Sequence, residues 1–458
     1  YTWFQRTQQN AIDFAAAVAP TTGAVEGYAG DSVNGNNTFY VGYNTANTQA
    51  LSINAAVNAA ASGATINVAD GTYNQNVTIN KANLTLQSDD GRDATTIVGQ
   101  GNTALGTILV QANNFTLGGT DHGFTVVGID NASPGIESAA VYIQGNNSDS
   151  TIQNNRITAN GDEALLTEYG ATVSGLTVDN NIFDGQTFAG ANPAGVGSSQ
   201  FTLANVPRQL VVISGGSGGG NTSNITFTNN QITGTTGGLN TSGQEQGNNL
   251  VTIDSHGATI TGNTFAGKTD AWYDALRARG TDTTVTGNTF DGTNMGAGTN
   301  MLEINNSALV GSFTNLIANN VWNNGSAWVN HAIAGVNYVF RGIQNAITGA
   351  TAGDTVNVGA GTYKEQVVVT GKNLDIDGAG AGNSIIESPD LLGHSFTGNG
   401  NPYKAIVSIE DGSSVTLSGF TIDGRGQGNA NNRFTGVGVH NANATLNDLD
   451  ITGIRNGG

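Results

Sequence analysis

Carboxylates, guanidinium groups, an imidazole and two aromatic rings gather in one stretch of this 458-residue sequence: Asp270, Trp272, Tyr273, Asp274, Arg277 and Arg279, with Asp254 and His256 about one repeat earlier. Ring faces beside carboxylate and guanidinium groups suit sugar recognition, where apolar faces stack and hydroxyls take directional hydrogen bonds. On a polyanionic sugar the same set extends to catalysis, with Arg neutralising a carboxylate and His or Tyr acting as base. A surface ion pair beside a packed loop accounts for the same residues without any ligand. A second acidic stretch, Asp89-Asp90-Gly91-Arg92-Asp93, has the oxygen-rich turn composition that can hold calcium, although it matches no full calcium-loop motif. No cofactor is expected beyond calcium at Asp89, Asp90 and Asp93.

The elements that position these residues come from a repeated unit. Thr284 to Gly292 (TVTGNTFDG) is echoed at Thr259 to Gly267, Thr177 to Gly185 and Thr226 to Gly234, and more loosely at Ile152 to Ile157 and Ile317 to Trp322. Each copy has an apolar residue, Asn three positions on, and an apolar residue two after that. The Asn positions, Asn155, Asn181, Asn230, Asn263, Asn288 and Asn320, lie 26, 49, 33, 25 and 32 residues apart. The short gaps fit one coil of a stacked solenoid, and the long ones a coil with an inserted loop. Asn tolerates the left-handed backbone of a sharp corner and can bond the Asn of the next coil, so these six residues are read as a structural ladder. The extra residues fall after the Gly that closes each motif, at about 186–208, 235–248, 268–274, 293–300 and 326–335, which places the loops along one edge.

Composition sets outer limits. Only 11% of residues are charged, and Gly makes up 67 of 458. Hydrophobic residues still reach 37% and recur in register, which favours a repetitive β protein over disorder. No cysteine is present, which excludes disulfides and thiolate metal sites. The net charge of −19, with no basic run, argues against nucleic acid as a partner. No apolar stretch approaches the roughly 20 residues of a membrane span. The N-terminus lacks signal-peptide regions, and a repeat is completed just before Gly458 with no capping element. The sequence therefore reads as a mature product or an excised piece.

Residues 1–47 read as an appendage or linker, with a helix at Asn10 to Val18 and a strand at Thr38 to Tyr43 that is a candidate for donation to another subunit. An Ala-rich helical stripe at Ala50 to Ala61 then opens a first solenoid spanning 48–335. The order returns 290 positions later: Gly71-Thr72-Tyr73 matches Gly361-Thr362-Tyr363, and the helix is echoed by Phe340, Ile343, Ala346 and Ile347. A second, truncated solenoid thus occupies 336–458. A helix ahead of the first coil covers backbone and core that an open β stack would expose.

Ile343 to Ile347, Gly361 to Val369 and Asn373 to Gly378 resemble the opening of right-handed parallel β-helices of the pectin lyase-like superfamily, as do about 50–325 and 336–458 as a whole. Pectin methylesterases begin similarly, and so do many bacterial surface and secreted proteins. The resemblance implies the fold and leaves activity open, because this fold hosts enzymes, adhesins and fibres. The aspartate-bearing strand patterns of a pectin methylesterase are absent. Asp254-Ser255-His256-Gly257 carries the Ser-His-Gly motif of polygalacturonases, but their paired aspartates and Arg-Ile-Lys are missing. The expected protein is all-β: a right-handed parallel β-helix in two tandem copies, each opened by a short capping helix. Its expected role is as an extracellular adhesin or fibre component that partners with copies of itself or other surface components. The alternative is a polysaccharide-active enzyme or glycan-binding module working at Asp254 to Arg279.

Overall fold

The computed structural model describes residues 38–41, 53–101, 103–129, 138–160, 163–185, 209–215, 221–234, 249–267, 274–296 and 298–455. They fall into two compact units. Unit 1 takes the described residues of 1–269, 277–288 and 308–312, and unit 2 those of 270–276, 289–307 and 313–458. The chain is a right-handed parallel β-helix, the hand that parallel crossovers take.

Unit 1 is built from short strands that pair in parallel with their counterparts one coil away. Its first sheet runs through Thr65–Val68, Thr85–Ser88, Thr116–Gly118, Thr151–Gln153, Thr177–Asp179, Thr226–Thr228, Thr259–Thr261 and Thr284–Thr286. The middle residue of each three-residue strand points inward. Ile66, Leu86, Leu117, Ile152, Val178, Phe227, Ile260 and Val285 form one buried column, in register through the stack. The second sheet supplies Tyr73, Ile97, Val126, Ile157, Phe183, Ile232 and Phe265. The third supplies Val77, Ile108, Val141, Leu165, Val211 and Val251. Each such side chain contributes about 1.5–3 kcal/mol when fully buried, so the columns are the main cohesive term.

A left-handed residue stands before or after most of the first-sheet strands. Asn83, Asn114, Asp149, Gly175, Asn224, Gly257 and Asp282 precede them at positive φ, while Asn154, Asn180, Asn229, Gly262 and Gly287 follow. This corrects the reading of the repeat. The ladder residues Asn155, Asn181, Asn230, Asn263 and Asn288 are absent from the positive-φ set, and the residue just before each takes the corner. Corner and ladder are thus two adjacent jobs. It also explains frequent Asn-x-Thr triplets such as Asn114-Phe115-Thr116: a left-handed Asn, a buried residue, then the Thr that opens a strand.

The five ladder amides are fully buried. The backbone N–H and the side-chain Nδ2 of Asn181 both donate to Asn230 Oδ1, at 2.9 and 3.1 Å, and Asn181 Nδ2 also donates to Ile152 O, one coil back. Asn230 repeats this with Asn263 Oδ1 and Val178 O, and Asn263 with Asn288 Oδ1 and Phe227 O. Asn320 lies in unit 2, where its Nδ2 donates to Leu316 O.

Two helix-led openings make the same contacts 290 positions apart. Helices Ile53–Ala59 and Ile343–Gly349 place Asn54 Oδ1 on Thr78 N–H and Gln344 Oε1 on Val368 N–H. Tyr73 donates to Ala69 O and Tyr363 to Gly359 O. Lys81 and Lys372 each reach carbonyls at the C-terminal end of the helix, where a cation also complements the helix dipole.

The structure departs from the sequence reading in four places. The first helix is shorter than Ala50 to Ala61, and Phe340 belongs to strand Val336–Phe340. Ile317 falls in helix Phe313–Ala318, because Phe313, Leu316 and Ile317 follow helical spacing; no first-sheet strand forms there. Thr38–Val41 pairs with Thr65–Val68 of its own sheet, which occupies the edge that a donated strand was expected to fill elsewhere. The proposed helix at Asn10 to Val18 lies outside the described residues.

Unit 2 stacks Asp354–Val358, Asn373–Gly378, Ser414–Asp423 and Asn443–Thr452 in parallel. Its third sheet, the counterpart of the one that Val77 opens in unit 1, stacks Val367–Thr370, Asn401–Glu410 and Phe434–His440. Antiparallel pairs, Asn300–Asn305 with Val336–Phe340 and Ala327–Val329 with Asp354–Val358, interrupt the parallel pattern in this unit. Among the described residues no helix is long and apolar enough to cross a membrane.

Asn230→Ala removes the acceptor used twice by Asn181 and the donor used by Val178 O and Asn263 Oδ1. At about 1–3 kcal/mol per orphaned buried group, chemical denaturation should show a loss of about 3 kcal/mol or more. Asn229→Gly, at the adjacent left-handed corner, should change stability by only a few tenths.

Candidate functional site

Outside the core columns, the third sheet of unit 1 presents two outward columns. In the first, Leu109, Tyr142, Leu166, Val212 and Thr252 follow one another coil by coil. Tyr142 and Leu166 pack with Ala139, Leu105, Leu109 and Val212 in an apolar cluster of their own. The second column is polar: Gln111, Gln144, Glu168, Ser214 and Asp254, one per coil at the roughly 4.8 Å spacing of paired strands. Gln111 Nε2 donates to Gln144 Oε1 at 2.7 Å, and Glu168 Oε2 accepts the Gly145 N–H at 2.7 Å. Ser214 Oγ donates to Asp254 Oδ2 at 3.4 Å, and Arg277 Nη2 lies 3.6 Å from the same oxygen. The Asp254 side chain is only 4% exposed and that of Arg277 28%, so the pair is a buried carboxylate held by a guanidinium that still reaches solvent. Tyr169, next to Glu168, is 79% exposed.

The structure therefore brings Asp254 and Arg277 together. His256 turns the corner instead, its Nδ1 2.9 Å from Thr281 Oγ1, and the Ser255 hydroxyl donates to His256 O. In unit 2, Asp274 accepts from Asn300 Nδ2 at 2.9 Å. The carbonyl of Arg279 accepts the Ser255 N–H, and its side chain is half-buried. Asp270, Trp272 and Tyr273 lie outside the described residues.

The acidic turn, read as a calcium candidate, borders a groove. Asp90 and Asp93 border an open groove of about 290 Å³ with Arg92, Asp121, Asn154 and Asn180. Arg92 Nη1 donates to Asn180 O at 3.4 Å. Asp90 shares a hydrogen bond with Asp70, whose pKa is raised by desolvation and by the Asp90 charge. Burial raises Asp89 too, followed by repulsion from Asp90 and Asp70, against a smaller opposing effect of His122. Among the described residues no group of three or more ligating side chains is set to hold a metal ion.

The sequence reading missed a cluster on the third sheet of unit 2. Ser408 and Glu410 alternate with the buried Val407 and Ile409, and Gly438 and His440 with Val437, partly buried, and Val439, exposed, the register partners of Val407 and Ile409. Phe396–Gly398 folds back antiparallel onto Asn401–Glu410 and carries His394 with it. His394 Nε2 is 2.7 Å from Glu410 Oε1, which also accepts from Ser408 Oγ. Phe396 stacks on Tyr403 and His440, with ring centroids 5.5 and 5.2 Å away, and Arg433 lies over Tyr403. Gly438 makes room for this arrangement, since a Cβ there would come within 2.6 Å of the Phe396 ring. The available signal was compositional: two of the chain's five histidines flank Glu410. They stand 16 and 30 residues from it, too far apart for any local motif.

No protein-family model matches the sequence, and no curated protein matches it. Among solved structures the chain is similar to an alginate lyase from Paenibacillus sp. str. FPU-7, at 10% identity and TM-score 0.30, covering 86% of this chain and 96% of that one. The A-module of the Azotobacter vinelandii mannuronan C-5 epimerase AlgE4 aligns at 12% identity and TM-score 0.29, over 86% and 87%. Pectin methylesterase PemA from Erwinia chrysanthemi aligns at 11% identity and TM-score 0.24, over 77% and 81%. At these scores the likeness is one of architecture.

The acidic turn sets a direction for stability against pH. Asp70 and Asp89 hold protons more tightly folded than at the ordinary value of 3.8, so their contribution is fully present below that value and is lost as pH rises through the raised values. Melting temperature followed upward from pH 3.8 should fall less steeply for Asp89→Asn than for the unsubstituted chain.

Proposed function

Starting from a right-handed parallel β-helix of the pectin lyase-like fold, we propose that this chain acts on polysaccharide outside the cell, holding an extended glycan against the outward side of its third sheet. One observation carries the reading: the same outward column of the third sheet bears the polar and titratable side chains in each unit. In unit 1 these are Gln111, Gln144, Glu168, Ser214 and Asp254 with Arg277; in unit 2 they are Glu410 and His440 with His394. A linear polymer presents hydroxyls at a regular interval, and a column with one polar group per coil offers donors and acceptors at a regular interval too.

In unit 2 the chemistry goes a step further. Glu410 holds His394 through Nε2, while Nδ1 has no hydrogen-bond partner among the described residues and the side chain is 40% exposed. A carboxylate-held imidazole with one open nitrogen is the arrangement of a general base. The fibre expected from the sequence gains no observation of its own, and the polar columns do not require assembly.

Affinity electrophoresis through gels containing neutral and acidic polysaccharides tests the reading. The chain should be retarded by at least one of them, and Gln144→Ala combined with Glu168→Gln should weaken retention about tenfold, as the loss of two hydrogen bonds of about 0.5–1.5 kcal/mol predicts. Unchanged retention would move the site elsewhere, and no retention by any glycan would sink the proposal. Release of reducing ends or unsaturated sugars, if observed, should disappear in His394→Ala.

A further inference from the structure

The first sheet of unit 1 carries a feature that polysaccharide binding does not use. Thr65, Thr85, Thr116, Thr151, Thr177, Thr226, Thr259 and Thr284 are direct register partners from coil to coil, an unbroken column of eight threonines. They alternate with the inward apolar column, so they face outward, and each is partly or fully exposed. The neighbouring outward column ends in Thr228, Thr261 and Thr286, which makes Thr-x-Thr strands of the last three coils. β-propensity explains a β-branched residue at such positions. It does not explain eight identical ones without a single Val, Ile, Lys or Glu among them.

Three further observations bear on what this face meets. None of the eight hydroxyls makes a hydrogen bond to protein among the described residues, so the array is left to solvent. Left-handed corner residues bracket most of these strands, and in sequence the long insertions of the repeat leave and re-enter between second-sheet and third-sheet strands, so none interrupts a first-sheet strand. From Thr65 to Thr286 neither outward column holds an aromatic ring, and Asp179 is the one charged residue there; Tyr40 takes the place beside Asn67 in the strand before them. Sugar surfaces are usually met by ring stacking and charged surfaces by counter-charge, and this face has neither resource.

A threonine offers a methyl and a hydroxyl on a Cβ whose χ1 is stiff, so its hydroxyl has few orientations. Repeated every ~4.8 Å across strands, and every ~6.7 Å between the two threonines of a Thr-x-Thr strand, such groups form a two-dimensional lattice. That lattice is close to the spacing of water oxygens on a face of ice. We propose that the first sheet of unit 1 is an ice-binding surface, on which the hydroxyls anchor ordered water and the methyls hold it in place. The face is distinct from the third-sheet column, so the two readings stand or fall separately.

The test uses the full chain and its adsorption to ice, read as incorporation into a growing ice hemisphere and as inhibition of recrystallisation. The chain should adsorb, and Thr177→Tyr combined with Thr226→Tyr, which breaks the flat lattice while leaving the inward column intact, should lose at least tenfold in recrystallisation inhibition at an unchanged fold by circular dichroism. Should that pair fail to fold, Thr226→Lys alone replaces it with the same expected loss. Gln231→Tyr, on the exposed side of the second sheet, should retain full activity. Absence of adsorption by the unsubstituted chain, or equal adsorption by the threonine variants, overturns the proposal. Adsorption to crystalline cellulose or chitin but not to ice overturns it in favour of a solid polysaccharide as the partner of this face.

Discussion

The rest of unit 1 depends on a buried amide that bonds backbone in its own coil and the coil behind, and the next amide in the coil ahead. A β-helix corner must leave the strand direction, and there the regular ladder of backbone hydrogen bonds breaks. An unpaired backbone group costs about 1–3 kcal/mol once buried. The side chain of Asn181 or Asn230 meets that cost by donating to a carbonyl one coil back and to the next amide ahead, while accepting from the coil behind. Asn is suited to this because its amide is short and carries both donors and an acceptor. With the corner satisfied, strands of only three residues suffice, and one inward side chain per strand can fill the core.

This economy explains the composition. Three-residue strands between left-handed corners require Gly, Asn or Asp at fixed points, while the core needs one Ile, Val, Leu or Phe per strand. That leaves the outward positions with no structural duty beyond strand compatibility. Their identity is therefore free to vary from sheet to sheet: one outward column of the third sheet is polar and titratable, and one of the first is threonine.

The fold was readable because its signals repeat. An apolar residue, an Asn and another apolar residue recur with every coil, and the helix-led opening returns as Ile343–Gly349. What escaped reading lacks repetition. The Asn was assigned both the left-handed corner and the ladder because the two duties sit on adjacent residues, often both Asn, as at Asn180 and Asn181. Ile317 matches the strand motif locally, yet its neighbours Phe313 and Leu316 carry helical spacing, and the helix prevails. Asp254 and Arg277 belong to one expected constellation and meet because they sit one coil apart, whereas His256, two residues beyond Asp254, turns the corner to Thr281. His394 and Glu410 meet only because a hairpin folds back over its own sheet, which no spacing rule anticipates.

The amide ladder also governs how such a chain can change length. Asn230 and Asn263 present the same pattern of bonds, one coil apart, so excising the 33 residues from one to the next would set Asn181 against the following amide with the ladder bonds remade. Removing a single residue from a strand would instead turn inward side chains outward and shear the ladder. Loops that leave and re-enter between the second and third sheets escape both constraints. Heritable variation in this chain is accordingly quantised along its axis, in whole coils, and continuous only at the side where the insertions emerge.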